Sequence, residues 1–472
     1  MKTKIDRSGW LTSARERRVY WIYFFGQNMI YMLVYMFLAT YLLLSGLNPA
    51  ATAGILVIVK IWDAANDIIF GALIDKAKFK KGGKFIPWLR ISLPLIALAT
   101  LLMFGIPQGF SMGSKLVWFA LAYLLWDAAY TISDVPVYGL VTNLTNVQAE
   151  RTDLMAKSRI TAYAGSLLVL LMGFVLPSEQ VGMSFTTIAQ IVVIIAALTM
   201  IWLCIYGREH LAGSTREKSY SLREMFQYFG HNKYLFIYFG GLFMFLGLNT
   251  AQAVLQFTCF YLFNNALIAT VVAAVSFAPS VLISLFLPLL LRHLDKRSIL
   301  LTSAIAYTLL SVVIWLIGPI LLPHLILSVL RGFALGGVTV VQFMFTPDCA
   351  EYGQYKTGVE AKGITFAVQT FTMKLTAAVS GALGIAILGW FGWQTVNANS
   401  FAELAALGIS QSDLALMGLW TAYALVPMIG GALAVVFWLL YRLKAADVEL
   451  MARCNNGEIS REECAAALSR KY

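Results

Sequence analysis

Apolar residues along this chain gather into long blocks, and each block is closed by a short polar or glycine-containing break. Barrel strands alternate apolar and polar side chains over about ten residues; these blocks do not alternate and run well past that length. A helix needs about 20 apolar residues to cross the hydrocarbon core of a bilayer. Twelve blocks qualify, at 19–45, 50–75, 88–107, 116–143, 159–177, 183–206, 234–262, 266–292, 298–319, 322–347, 363–391 and 413–442. The pattern predicts an all-α membrane protein with twelve transmembrane helices.

The breaks alternate in charge. DKAKFKKGGK carries Lys76, Lys78, Lys80, Lys81 and Lys84, the long break after span 6 carries Arg208, Arg216, Lys218 and Arg223, and RHLDKRS carries Arg292, Lys296 and Arg297. GLNPA, LPSEQVG, FNNA and WQTVNANSFAELAALGISQSDLA, which separate them, have neither Lys nor Arg. By the positive-inside rule the basic breaks and both termini face the cytoplasm, in a plasma (inner) membrane protein. The division expected is a cytoplasmic N-terminus (1–18), a six-helix bundle (19–206), a cytoplasmic linker (207–233), a second six-helix bundle (234–442) and a cytoplasmic tail (443–472). Asp75-Lys76 after span 2 and Asp295-Lys296 after span 8 are a faint echo of duplication, so the halves read as six-helix pseudo-repeats, a known transporter architecture. In the tail, Ser460 and Glu463 have the spacing of a capping box before a short helix, which is expected to have no part in transport.

Composition adds three exclusions. Of 472 residues 59% are hydrophobic and 12% charged, too few charges to cover a soluble protein of this length. The net charge of +11 is mostly topogenic, and it lacks the single basic face that nucleic acid requires. Five cysteines without paired spacing and four histidines outside any metal motif suggest neither a disulfide framework nor a zinc site. The charged start, MKTKIDRSGWLTSARERR, has no cleavable signal pattern.

Charge inside the blocks is the chemistry that needs explaining. KIWDAANDIIFGALIDK places Lys60, Asp63 and Asp67 within about 60° of one another on a helix, with Asn66 beside them. An intramembrane carboxylate costs at least ~2.5 kcal/mol on insertion scales, so it must face a cavity or a partner. Two carboxylates four residues apart repel unless a cation sits between them or one takes a proton, and a single lysine cannot neutralise both. The stretch therefore reads as a hard-cation site, for Na⁺, Li⁺ or a proton, with Na⁺ placed at Asp63 and Asp67. Span 4 repeats the pattern: Asp127, Thr131 and Asp134 form one stripe, flanked by Tyr130 and Tyr138, and Pro136 removes a backbone donor and can bend the helix. A carboxylate beside aromatic rings suits a sugar, whose hydroxyls donate to the acid while the ring covers its apolar face.

Further polar groups fall in other spans. Arg159 opens span 5, either as an interface anchor or as a cavity residue. Lys374 lies deep in span 11, about one turn after Gln369 and Thr370; it needs an acidic partner, and Asp63, Asp67, Asp127 and Asp134 are the acids of the first half. Span 1 adds Gln27 and Asn28. The cytoplasmic stretch 346–363, with Asp348, Glu351, Lys356, Glu360 and Lys362, offers ion pairs to Arg292, Arg297 and the basic break after span 2 that would close the inner side; a solvated charged loop is the plainer alternative.

KIWDAAND, GGKFIPW, YTISDVP, DCAEYGQYK and VQTFTMK, in that order and spread over both halves, resemble the glycoside–pentoside–hexuronide:cation symporters of the major facilitator superfamily. The resemblance implies a cation site at Asp63, Asn66, Asp67 and Thr131, and a sugar site at Asp134, Arg159, Tyr130, Lys374, Gln369 and Thr370, with Tyr138 where the family's best-known member has tryptophan. It implies an inner ion-pair network through Asp348 and Glu351. Departures from that member are informative. Asn28, preceded by Gln27 rather than lysine, stands at the position of a sugar-gripping acid. Asp127 is an added carboxylate that can change cation choice or pair with Lys374. Lys60 replaces an arginine, Ile86 removes one from the inner gate, and Glu360 and Lys362 exchange charges.

The sequence thus reads as a cation-coupled sugar symporter working by alternating access, without a cofactor, nucleic-acid partner or enzymatic constellation, and functional as a monomer in the lipid bilayer. An anionic sugar, a hexuronide or sulfonated sugar, is the alternative substrate that Arg159, Lys374, Lys60 and Asn28 favour. A transport-inactive sensor would call for a large soluble domain, which these tails are too short to hold.

Overall fold

The structure, a computed structural model, describes residues 9–76, 79, 83–211, 232–358 and 362–470. Among them, helices account for the architecture and the one β feature is an isolated bridge between Ser45 and Asn397. Among the described residues, eleven helices are long and apolar enough to cross a membrane, against the twelve expected. Span 2 accounts for the difference: its helix runs 28 residues, Pro49–Lys76, but its apolar stretch among the described residues is the shorter Pro49–Val59. The chain forms two compact units, each described by itself.

The first unit is built from α1 (Ala14–Leu44), α2 (Pro49–Lys76), α3 (Ile86–Met103), α4 (Met112–Leu144), α5 (Gln148–Val175) and α6 (Phe185–Tyr206), with the segments Asn265–Leu267 and Gly392–Ser412. Polar residues start these helices by meeting free backbone donors. Ser13 and Glu16 form a capping box at α1, and Ser111 and Ser184 cap α4 and α6. The α3 start is capped from afar: the Glu209 carboxylate accepts from the amides of Lys84, Phe85 and Ile86 at 3.0, 2.7 and 3.0 Å. α1 packs against α5 and α6, and α2 against α4. Small residues permit the close approach: a Cβ on Gly165 would lie 2.3 Å from the Phe25 carbonyl oxygen. The basic-free break before span 12 is not a plain loop. It contains α14 (Phe401–Leu407), donates from Ala398 N to Leu44 O at 2.8 Å and from Phe401 N to Pro177 O at 2.8 Å, and buries Phe401 completely.

The second unit holds α7 (Lys233–Gly247), α8 (Ala251–Leu262), α9 (Ile268–His293), α10 (Lys296–Ile317), α11 (Leu321–Val341), α12 (Phe345–Thr357), α13 (Lys362–Trp390), α15 (Asp413–Trp420), α16 (Val426–Leu440), α17 (Ala445–Asn455) and α18 (Arg461–Ala467). Its core gathers Tyr238, Phe245, Phe345, Trp438 and Tyr441. Two expected spans are broken. The block 234–262 is two helices, α7 and α8, and span 12 passes through a π-helical turn, Thr421–Leu425, between α15 and α16. The two breaks meet, because Thr250 Oγ1 donates to the carbonyl of Ala422. The cytoplasmic stretch 346–363 is mostly helix α12 rather than the solvated charged loop of the plainer alternative, with Asp348 buried. In the tail the capping box of Ser460 and Glu463 is present, and α17 seats Met451, fully buried, in the core.

Candidate functional site

In the first unit, α2 carries Asp63 and Asn66, and α4 carries Asp127 and Thr131. Asp63, Asn66, Asp127 and Thr131 are all buried, at 8, 0, 5 and 6% exposure. Asn66 links the two helices: its Nδ2 donates to Asp127 Oδ2 at 2.8 Å and to Thr131 Oγ1 at 2.9 Å. Its Oδ1 is buried and has no hydrogen-bond partner among the described residues. The ensemble is a set of buried hard oxygen donors that includes carboxylates, the chemistry that a monovalent cation or a proton satisfies. The side chains of Lys60 and Asp67, which belong to the same expected set, lie outside the described residues, as does Glu360.

One turn beyond Thr131, Asp134 is half-buried and accepts from Gln27 Nε2 at 3.0 Å. Asn28, beside Gln27, turns its Nδ2 back to the Phe24 carbonyl at 3.0 Å. Tyr130 stacks on Trp126 with centroids 5.0 Å apart and meets Tyr31 at 5.7 Å, and Tyr31 stacks on Tyr35 at 5.8 Å. An aromatic row therefore runs across α1 and α4 next to Asp134. Sequence reasoning singled out Tyr130 and passed over Tyr31, Tyr35 and Trp126. The signal was present: Tyr31 and Tyr35 share one face of α1, and Trp126 lies one turn before Tyr130. Tyr138 packs edge-on against Phe24 at 5.2 Å. Arg159 itself is exposed. α4 continues as helix through Pro136.

In the second unit, α13 carries Gln369, Thr370 and Lys374. Gln369 Oε1 accepts from Thr346 Oγ1 at 2.5 Å, tying α13 to α12, and the exposed Thr370 donates to its own helix at Phe366 O, 3.2 Å away. Lys374 is half-buried. The expected ion pairs of the cytoplasmic stretch need a correction. The described partner of Asp348 is Lys296, at 2.5 Å, rather than Arg292 or Arg297. Arg297 is spent on backbone, donating to Tyr441 O at 2.5 Å and Leu439 O at 3.3 Å. Glu351 accepts from Asn455 of the tail at 2.8 Å, so the tail grips the helix that carries both acids.

A family described as MFS/sugar transport protein matches residues 20–445. A glucuronide carrier protein homolog of Escherichia coli (strain K12) is 26% identical over 85% of this chain and 86% of its own length. The isoprimeverose transporter of Lactiplantibacillus pentosus is 22% identical over 93% and 90%, and a putative sulfoquinovose importer of Salmonella typhimurium is 24% identical over 86% and 85%. Among solved structures, the nucleoside transporter NupG superposes with a TM-score of 0.63 at 13% identity, covering 91% of this chain and 99% of that one. That likeness is one of fold.

Proposed function

We propose, for a chain that belongs to the MFS/sugar transport protein family, that it carries a sugar inward by coupling to a monovalent cation, Na⁺, Li⁺ or a proton, through alternating access. One observation supports the coupling: Asn66 of α2, buried and bonded to Asp127 and Thr131 of α4, keeps its amide oxygen unpartnered among the described residues, in a helix that also buries Asp63. Asp63, Asp67, Asn66 and Thr131 hold the cation, and Na⁺ between Asp63 and Asp67 neutralises a charge that the bilayer penalises. The resemblance assigns the sugar to Asp134, Arg159, Tyr130 and Tyr138 on α4 and α5 and to Lys374, Gln369 and Thr370 on α13. Gln27 holds Asp134 in place, and the exposed edges of Tyr31 and Tyr35 extend the aromatic row. Coupling arises because the cation and the sugar each favour the same state of the carrier. One charge moving down 100 mV contributes about 2.3 kcal/mol to accumulation. The protein works as a monomer in the plasma (inner) membrane with both termini in the cytoplasm, as the basic breaks favour.

The test is uptake of a labelled glycoside panel into vesicles with imposed Na⁺ or pH gradients, with Asp67→Cys as control. The parent accumulates sugar against its gradient under one of the two ions; Asp67→Cys loses accumulation. Equal accumulation by both proteins would remove the cation-site assignment.

A second reading concerns charge on the sugar. Two of the relatives above are named for anionic sugars, glucuronide and sulfoquinovose. Asn28 stands where an acid would repel an anion, and Arg159 is exposed. Competition of neutral against acidic sugars separates the two: an anionic substrate is displaced by uronides and sulfonated sugars and not by their neutral counterparts.

A further inference from the structure

Asp127 is the acid of the buried cluster that the family pattern does not supply, and the structure gives it specific work. Its Oδ2 takes one hydrogen bond from Asn66 Nδ2 at 2.8 Å, and Thr131 Oγ1 takes another from the same nitrogen at 2.9 Å. An ionised carboxylate has only acceptors to offer, so it can meet only the NH₂ end of an amide. The Asn66 side chain, with no exposure to solvent, is thereby turned so that both its hydrogens point to α4. Its oxygen is left buried and, among the described residues, unpartnered. A buried acceptor without a partner is costly, and hard cations are bound by oxygen ligands.

We infer that Asp127 is a positioning residue, which turns Asn66 so that Oδ1 rather than Nδ2 faces the coupling cation. The inference rests on the cation-site reading above and adds a determinant that acts through another residue. Turned the other way, the amide would aim two N–H groups at a positive ion, and the site would lose a ligand and gain a repulsion.

The test compares substitutions that keep or lose the orienting acceptor. Asp127→Asn removes the charge but still presents an oxygen to Asn66; Asp127→Ala presents nothing. Na⁺-driven uptake is measured over a Na⁺ titration in vesicles. Asp127→Ala is expected to raise the half-saturating Na⁺ concentration about 10-fold or more, the size expected for one lost ligand, whereas Asp127→Asn stays within about 3-fold of the parent. The sugar KM and maximal rate at saturating Na⁺ stay near parental in both, a split that a general loss of structure would not give. If protons drive the parent, the same comparison reads the pH midpoint of uptake, which Asp127→Ala moves down by about one unit for a 10-fold weaker proton site. An exchange gives a rescue arm. Asn66→Asp alone sets two carboxylates face to face and impairs coupling; Asn66→Asp with Asp127→Asn restores a donor–acceptor pair and recovers it. Equal impairment of Asp127→Asn and Asp127→Ala, with parental unfolding temperatures, assigns the effect to charge and overturns the inference. So does a half-saturation that neither variant moves. Failure of the underlying reading is seen elsewhere: the parent itself would then lack cation dependence.

Discussion

Lys296 reaches Asp348 at 2.5 Å and also donates to Met344 O at 3.2 Å, with side-chain exposures of 19 and 9% for the pair. Removing one partner of a buried pair leaves an uncompensated charge, which costs about 3 kcal/mol or more. Lys296→Ala is therefore expected to lower the unfolding temperature in detergent, at a cost of about 3 kcal/mol, while Lys296→Met with Asp348→Leu recovers most of the loss. Thermal unfolding of the three proteins checks this, and equal damage in the single and double variants would exclude a stranded carboxylate as the cause. The sequence exposed Lys296 through the repeated Asp-Lys and Asp348 through the charged stretch 346–363, but not their pairing. Arg297 is one residue further along, about 100° round the helix, and reaches the carbonyls that end α16 instead. Partner choice depends on helix rotation, which spacing alone does not set. Helical spacing did put Asp127 and Thr131 on one stripe of span 4, where both accept from Asn66 of span 2, because lipid leaves polar side chains of neighbouring spans few directions to face.

α1 and α5 show how an element is fixed by what it lacks. Gly165 lets the Phe25 carbonyl oxygen approach to 2.3 Å of where a Cβ would sit, and Gly173 accommodates the Phe37 ring at the same distance. The obstacle at Gly165 is backbone, which cannot swing aside as a side-chain tip can. Gly165→Ala is expected to destabilise the first unit by about 1–3 kcal/mol through forced separation of the helices. Gly113→Ala, at a helical glycine with nothing within 4 Å of the added Cβ, should be neutral or stabilising by up to about 1 kcal/mol. Unfolding temperatures of both variants decide the matter, and an equal effect would dismiss close packing as the reason for Gly165. Block length predicted most elements to within a few residues, yet α5 begins at Gln148, eleven positions before the apolar block at 159, since its first turns are polar and lie outside the apolar pattern. The breaks in spans 7 and 12 were also invisible. Both halves of each span are apolar, and the interruption is stabilised by a partner distant in sequence, Thr250 on Ala422.

At the scale of the molecule, the distribution of basic residues carries a statement about direction that helix packing alone cannot make. Breaks with several Lys or Arg alternate with breaks that have none or, at 108–115, the single Lys115, and the break holding α14 has none. That break also shows where the sequence fell silent: its polar composition reads as loop, while its buried Phe401 and its backbone bonds to Leu44 and Pro177 anchor it in the first unit, although α13 and α15 on either side belong to the second. Four of the five cysteines are buried and Cys454, in the tail, is half-buried, so the native chain offers one preferred thiol on the side assigned to the cytoplasm. Leu407, 51% exposed at the end of α14, is a matching position on the other side. With a membrane-impermeant maleimide, Leu407→Cys should label in intact cells, whereas Cys454 should label only in inside-out vesicles or after permeabilisation, because Lys and Arg are retained on the cytoplasmic face. The reverse pattern would invert the topology and, with it, the direction in which the cation gradient drives the sugar.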